Sequence, residues 1–502
     1  GGEHFEAALR RTASPAGEHT ESRKGKAMRQ TTKDVIFRLA TAFVLLLAPR
    51  AGSAQAGVAT HTGALPDGAT YLIEVPANWN GTLFLYSHGY VVPGTANPAQ
   101  DVGDPATRFF MLSNGFALAG SSYATTGWAI EQALPDQIAV LDNFTETVGP
   151  PKQTVAWGHS LGGMITAGLV ERYPDRFDAA LPMCGVLSGG VATWNTALDS
   201  AFAFNTLVAG SHLELVNIVN PLDNLTLAEG ALAAAQTTPQ GRARLALVSA
   251  LADGPGWFAP LSPEPAPGDF AGQEMNQFLW AQQVDFPFIF AFRAELEARA
   301  RGNPSWNTDV DYRRQLEHSR DAAEVRALYQ QAGLDLEADL KMLNETARIS
   351  ADREATEYLE KNIIYNGEIH IPVLTLHTTG DGLVVVENES AYGQVVREEG
   401  NKAFLRRTFV ARAGHCAFTP AETIAAVLTL LGRLATGNWG QLHATDLNAA
   451  ALSLGPFFNI FTNSVGVVVP VAPAFVDFKP GPYLRPFAGG SEECGSGRPC
   501  RE

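Results

Sequence analysis

Four cysteines in 502 residues are too few for a disulfide scaffold, and none forms a C-x-x-C pair. That excludes a zinc ribbon and a thioredoxin-type redox site. Basic residues are scarce as well: 36 Lys and Arg stand against 52 Asp and Glu, a formal charge of −16. An acidic surface repels phosphate backbones and anionic lipid heads, so nucleic acid and a charged membrane face are not expected as partners. Internal repeats and long low-complexity tracts are missing, which excludes solenoids and fibrous folds. What remains is 46% hydrophobic and 18% charged, the composition of an ordinary globular protein. The length allows about three domains or one enlarged α/β domain.

The first 56 residues are not expected to join the fold. Residues 1–27 are polar and lack periodicity, and the first methionine is Met28. From there Arg29, Lys33 and Arg38 make a basic region, Leu39 to Leu47 an apolar one, and Ser53-Ala54-Gln55-Ala56 ends in an A-x-A cleavage pattern. The apolar run is too short to span a bilayer, so residues 28–56 read as a cleaved signal peptide rather than a stable membrane anchor. A secreted or periplasmic location follows, and an oxidising compartment lets Cys184, Cys416, Cys494 and Cys500 pair in any of three ways. Cys494 and Cys500 flank a flexible Gly-Ser-Gly-Arg-Pro turn suited to a local loop, which leaves Cys184 with Cys416.

Along the mature chain, short β-branched and aromatic runs alternate with helical periods. This is the pattern of an α/β fold whose mostly parallel sheet is covered on both faces. Strands are predicted over Thr70–Val75, Thr82–Tyr86, Phe116–Tyr123, Gln153–Trp157, Ala179–Cys184, Ile371–Leu376 and Phe404–Ala411. Leu161–Tyr173 and Ala421–Leu434 have helical spacing. Between Cys184 and Ile371 strand signals fade, and amphipathic helices are expected over Gln273–Arg301, Tyr312–Gln331 and Ala351–Lys361. The expected division is a core in two parts, 57–186 and 368–440, an inserted helical cap at 187–367, and a C-terminal appendage at 441–502 packed on the core.

One motif carries chemistry. Gly158-His159-Ser160-Leu161-Gly162 is a G-x-S-x-G between a buried strand and an apolar helix. Small neighbours let the chain bend sharply there, presenting Ser160 Oγ above the sheet edge while the Leu161 amide faces developing negative charge. A serine hydroxyl does not ionise unaided, so a base and an orienting acid must follow it in the chain. Asp381 ends a predicted strand in Thr-Gly-Asp-Gly, with Glu387 as the fallback acid, and His415 follows the next strand. His415 would take the serine proton and Asp381 would hold its tautomer. His159 and His377 read as structural. A second oxyanion amide is expected from Tyr90, just after His88-Gly89 at the end of an early strand.

On His88-Gly89, Gly158-His-Ser-Leu-Gly, Asp381 and His415, over residues 68–186 and 368–436, the chain resembles the α/β-hydrolase fold superfamily in its capped, secreted, esterase-like members. The resemblance implies an eight-stranded, mostly parallel sheet, a Ser-His-Asp acyl-enzyme mechanism, and neither cofactor nor metal. Val75-Pro-Ala-Asn-Trp-Asn-Gly-Thr82 is also similar to openings in tannase- and feruloyl-esterase-like proteins. Those families often bridge a cysteine before the serine to one after the histidine. Here His159 stands before Ser160, so the resemblance implies that Cys184 takes over as partner of Cys416, stapling the histidine loop. The expected substrate is a small-molecule or oligomeric ester, its apolar or aromatic part held by Tyr90, Trp128 and Trp194. The alternative reading is a secreted exopeptidase of the same fold. The residues specify no oligomeric state.

Overall fold

The computed structural model describes residues 57–440, 442–462 and 466–487. The expected signal segment, Cys494 and Cys500 lie outside the described residues. Nine strands form one sheet in the order β1-β2-β4-β3-β5-β6-β7-β8-β11. They are β1 Val58–Ala64, β2 Thr70–Pro76, β3 Thr82–Ser87, β4 Ala117–Ser121, β5 Gln153–His159, β6 Ala179–Met183, β7 Val373–Gly380, β8 Leu405–Ala413 and β11 Phe475–Val476. Two further short strands, β9 Ile460–Thr462 and β10 Val468–Pro470, pair with each other. The strands from β4 through β8 run parallel, whereas β1, β2 and β11 pair antiparallel at the edges. This is the α/β-hydrolase architecture, with one strand more than expected because residues 475–476 of the tail extend the sheet at β8.

The central strands read as continuous apolar runs because both faces of the sheet are covered. Every residue of β3, β4 and β6 is buried. Alternate side chains go to opposite faces. Leu83, Leu85 and Ala156 pack with the helices Ile130–Thr147 and Leu161–Arg172 on one side. Phe84, Val155 and Trp157 pack with Pro105–Ser113 and Pro420–Thr436 on the other. The edge strand β1 has little to bury, which is why its Val-Ala-Thr-His-Thr-Gly-Ala text carries no hydrophobic signal.

Between β6 and β7 the chain is helical, built around its own apolar cluster that includes Phe204, Phe286, Phe290, Val325 and Leu343. The expected helix Gln273–Arg301 runs in fact from Phe270, capped by the Asp269 side chain, to Ala300. It widens into π turns at Ala281–Asp285 and Phe288–Phe292, on either side of Pro287, which has no amide hydrogen to continue the ladder. The expected helix Tyr312–Gln331 is two, Tyr312–His318 and Ala322–Ala332. Ser319 is extended and its hydroxyl accepts from the Asp321 amide, a local bond that competes with helix continuation. The tail reaches beyond the core: Arg485 forks onto buried Asp199 in the helical layer at 2.7 and 2.8 Å. No helix among the described residues is long and apolar enough to cross a membrane.

Candidate active site

β5 ends at His159 and the next residue, Ser160, turns the chain into the helix Leu161–Arg172 with φ 59° and ψ −124°. That conformation is costly for a residue with a side chain and persists only where packing enforces it. Here the bend is wedged against the loop after β3. A Cβ on Gly162 would sit 1.9 Å from the Ser87 carbonyl oxygen, so no larger residue fits. The Gly89 backbone also packs against the serine, though less tightly: a Cβ there would stand 3.3 Å from Ser160 Cβ and 3.7 Å from its Oγ. Leu161 opens the helix, where the first amides have no intrahelical acceptor. Its amide and that of Tyr90 donate to no backbone carbonyl of the surrounding loops among the described residues.

Asp381 and His415 leave the sheet at the same edge, just after the adjacent parallel strands β7 and β8. His415 Nδ1 donates to Asp381 Oδ2 at 2.7 Å, and Asp381 Oδ1 accepts from the Val384 amide at 3.0 Å. With the Nδ1 proton held by a buried carboxylate, Nε2 keeps its lone pair. The histidine loop is pinned on three sides. Arg412 forks onto Glu422 at 2.6 and 2.9 Å and donates to the Ala417 carbonyl at 2.8 Å. Glu422 also closes a capping box with Thr419 at the start of the next helix. On the third side, the Cys184–Cys416 disulfide ties the loop to the end of β6 across 232 residues of sequence. From there the path to the serine is short, because the Met183 carbonyl accepts the Ser160 amide at 3.0 Å. Nε2 lies 3.4 Å from Cys416 Sγ, and no hydrogen bond joins it to Ser160 Oγ in this structure.

A scan of family models matches the prolyl oligopeptidase family over residues 120–208, the stretch that contains Ser160. Over 423 residues, 78% of this chain and 90% of the other, the sequence is 32% identical to an o-phthalyl amidase of Xanthobacter agilis. The chain belongs to that enzyme's family, among the serine hydrolases of the α/β-hydrolase fold. Solved structures similar to this hydrolase include an esterase from Aspergillus oryzae, at 16% identity over 76% of this chain and 80% of that one, with a TM-score of 0.38. An acylaminoacyl peptidase of Pyrococcus horikoshii is similar at 8% identity over 72% of this chain and 38% of that one, with a TM-score of 0.34. Likeness this distant does not bear on the choice between ester and amide.

The other sequence-predicted groups of the hydrolase are placed as follows. Glu387 is buried against Arg320, 3.2 Å away, and is not bonded to His415, so it does not serve as a second orienting acid. His159 Nδ1 meets the Tyr86 hydroxyl at 3.0 Å, and burial, helped by the charge of His415, lowers its pKa to about 4. His377 lies inside β7 between Glu389 at 3.2 Å and the Val384 carbonyl at 2.8 Å. Burial alone would lower its pKa, but the Glu389 bond and charge outweigh that and raise it. His88 stacks on Tyr123 at 3.9 Å and contacts the carbonyls of Gly89 and Ser122. It therefore fixes the loop that carries Tyr90.

Over Ser160 and Leu161 the helical layer covers an apolar cavity of about 160 Å³, lined in part by Tyr90, Trp128 and Trp194. Trp128 and Trp194 meet edge-to-face at 5.7 Å, and Arg293 stands over Trp194 at 5.7 Å. The Trp128 amide donates to Glu295 at 3.0 Å, which fastens the helical layer to the core beside the cavity. Most of the lining was not anticipated, and two polar members stand out. Asp285 comes from the first π turn, and Tyr483 from the tail, where its hydroxyl accepts from Thr196 at 3.1 Å. Asp285 had a signal, a lone acid in the apolar text Val-Asp-Phe-Pro-Phe-Ile-Phe; Tyr483 had none.

Proposed function

We propose that this hydrolase cleaves carboxylic esters of apolar or aromatic acids through a covalent acyl-enzyme. Ser160 Oγ attacks the acyl carbon while His415 Nε2 takes its proton, and Asp381 stabilises the imidazolium. The Tyr90 and Leu161 amides receive the oxyanion, a contribution of about 3–4 kcal/mol per donor in comparable sites. The histidine returns the proton to the departing alcohol, and a water then repeats the sequence to release the acid. The observation that carries this reading is the convergence of the bonded Asp381–His415 pair and the strained Ser160 on one sheet edge beneath an aromatic cavity. A cavity near 160 Å³ suits a single ring, since about 150 Å³ admits benzene. Release of p-nitrophenol from aryl esters by the wild type, and none by Ser160→Ala, is the expected result. Equal turnover by both proteins would sink the assignment.

A second reading is amide cleavage, favoured by the 32% identity to the o-phthalyl amidase. Anilides of the same acids test it: turnover of anilides at or above that of the matching esters makes the chain an amidase. Release of nitroaniline from aminoacyl nitroanilides alone would instead favour the exopeptidase. We also propose export to an oxidising compartment, supported by the Cys184–Cys416 bond and the Met28–Ala56 text. A mature chain recovered outside the cytoplasm with Gly57 at its N-terminus is expected; a cytoplasmic protein retaining residues 28–56 would refute it.

A further inference from the structure

The cavity over Ser160 is apolar but not featureless. Among the described residues that line it, Asp285 carries the one carboxyl, and no Lys, Arg or His lines it. The Asp285 carboxyl makes no hydrogen bond and no ion pair with any described residue, although it stands half-buried in the cavity wall. Its placement is structural: it closes the π turn Ala281–Asp285, two residues before Pro287, where the widened helix redirects its side chains. Four more polar groups of the lining residues are incomplete. Trp128 Nε1 and Trp194 Nε1 are buried donors without an acceptor, the Tyr90 hydroxyl has no partner, and Gln277 Oε1 is a buried acceptor without a donor. Buried donors of this kind are rare unless something absent from the free protein completes them.

We propose that Asp285 determines specificity for the acyl part of the substrate, donating the hydrogen of its carboxylic acid to an oxygen acceptor carried by the acyl group. The groups facing it support this. Asp381 acts on it from the end of β7, paired with His415, and the tyrosines Tyr90 and Tyr483 line the same cavity. Burial first, and the Asp381 charge second, push the Asp285 carboxyl up to about 8, so near neutrality it is an acid with a proton to give. An ammonium group brings three donors and no acceptor, so it would leave the two unpaired indole N–H groups and the proton of the Asp285 acid unsatisfied. A bare ring would leave the carboxyl unpaired. An oxygen acceptor satisfies it, whether a neutral ether or carbonyl oxygen or a carboxylate that shares the proton.

This rests on the reading of Ser160 as nucleophile beneath the acyl pocket, and the test separates the two. The readout is the ratio of kcat/KM for p-nitrophenyl methoxybenzoates and carboxybenzoates over that for the unsubstituted benzoate, from pH 6 to 9.5. Taking a ratio cancels every pH dependence that the two esters share. The wild type is expected to favour an oxygen-bearing acid by about 10-fold at pH 6 and to lose that preference above pH 8. Asp285→Asn, which keeps a donor but cannot ionise, retains the methoxybenzoate preference at every pH, and Asp285→Leu brings the ratio near one. Methoxy- and carboxybenzoates tell a neutral acceptor from a carboxylate. Binding of benzamide and methoxybenzamides to Ser160→Ala, followed by calorimetry, reads the same preference without turnover. A ratio that ignores pH in the wild type, or survives in a folded Asp285→Leu, overturns the role of Asp285. Turnover of no ester by the folded wild type overturns the ester reading instead, while the binding ratio still decides on Asp285.

Discussion

The two halves of the site are built by different means. At the sheet edge, every group that would do chemistry is over-determined. Ser160 is wedged by Gly89 and Gly162, Asp381 is held by a backbone amide, and the His415 loop by an arginine fork, a capping box and a disulfide. In the helical layer above and in the cavity wall, polar groups are left unfinished: the Asp285 carboxyl is unpaired, the Trp128 and Trp194 N–H groups lack acceptors, and buried carboxyls such as Glu274 and Glu324 have raised pKa values. The elements that carry the reacting groups are held before substrate arrives, although the bond from His415 to Ser160 is not yet made, whereas selectivity is held in groups that the substrate itself completes.

Four experiments would break or sharpen that contrast. The largest effect belongs to the edge: Ser160→Ala or Asp381→Asn should lower kcat/KM by about 10⁴-fold with the melting temperature nearly unchanged. Glu387→Gln, by contrast, should leave kcat within about threefold; a comparable loss there would move the orienting role to Glu387. Second, replacing Cys184 and Cys416 by serine should destabilise the fold by up to about 5 kcal/mol, given a sequence separation of 232. Because the bond tethers the histidine loop, kcat should fall more than KM rises, and a pure stability loss with kcat intact would deny that coupling. Third, Trp128→Ala or Trp194→Ala should raise KM roughly 10-fold for aromatic esters while kcat changes only a few-fold, as expected for lost cavity contacts. A selective collapse of kcat would place these rings in the chemistry.

The smallest effect concerns pH. Burial, reinforced by Asp321, raises the Glu324 pKa from 4.5 to about 8 in the folded protein. The unfolded chain releases that proton near 4.5, so between these values the folded state binds more protons and stability falls as pH rises. Glu324→Gln removes this part of the slope. It should melt roughly 2–4 °C above wild type at pH 8 and show no gain at pH 4, as read by calorimetry. Parallel melting curves for the two proteins across the range would refute it.

What the amino-acid text disclosed follows the same division. Ser160, Asp381 and His415 were readable because each depends on a local event, a buried strand running into a turn, and parallel neighbours bring such turns to one edge. The strand ends shifted by only a few residues, as at β7, which continues through His377 to Gly380. The helical layer was readable as helix but not in detail. Its interruptions come from single residues acting in tertiary context, Pro287 between π turns and Ser319 at a helix break. The weakest elements left least trace: β1 is half polar, and β11 is two residues long. Cavity walls are assembled from distant segments, so no local pattern announces that Asp285 and Tyr483 share one.

Tyr483 has a consequence for how the molecule is made. Ser160 is synthesised early, yet one wall of its chamber is supplied by a residue more than 300 positions later, locked to the helices by Arg485. A nascent chain therefore exposes the serine before its chamber is finished, and the cavity takes its final shape only once the stretch around Tyr483 has emerged and docked.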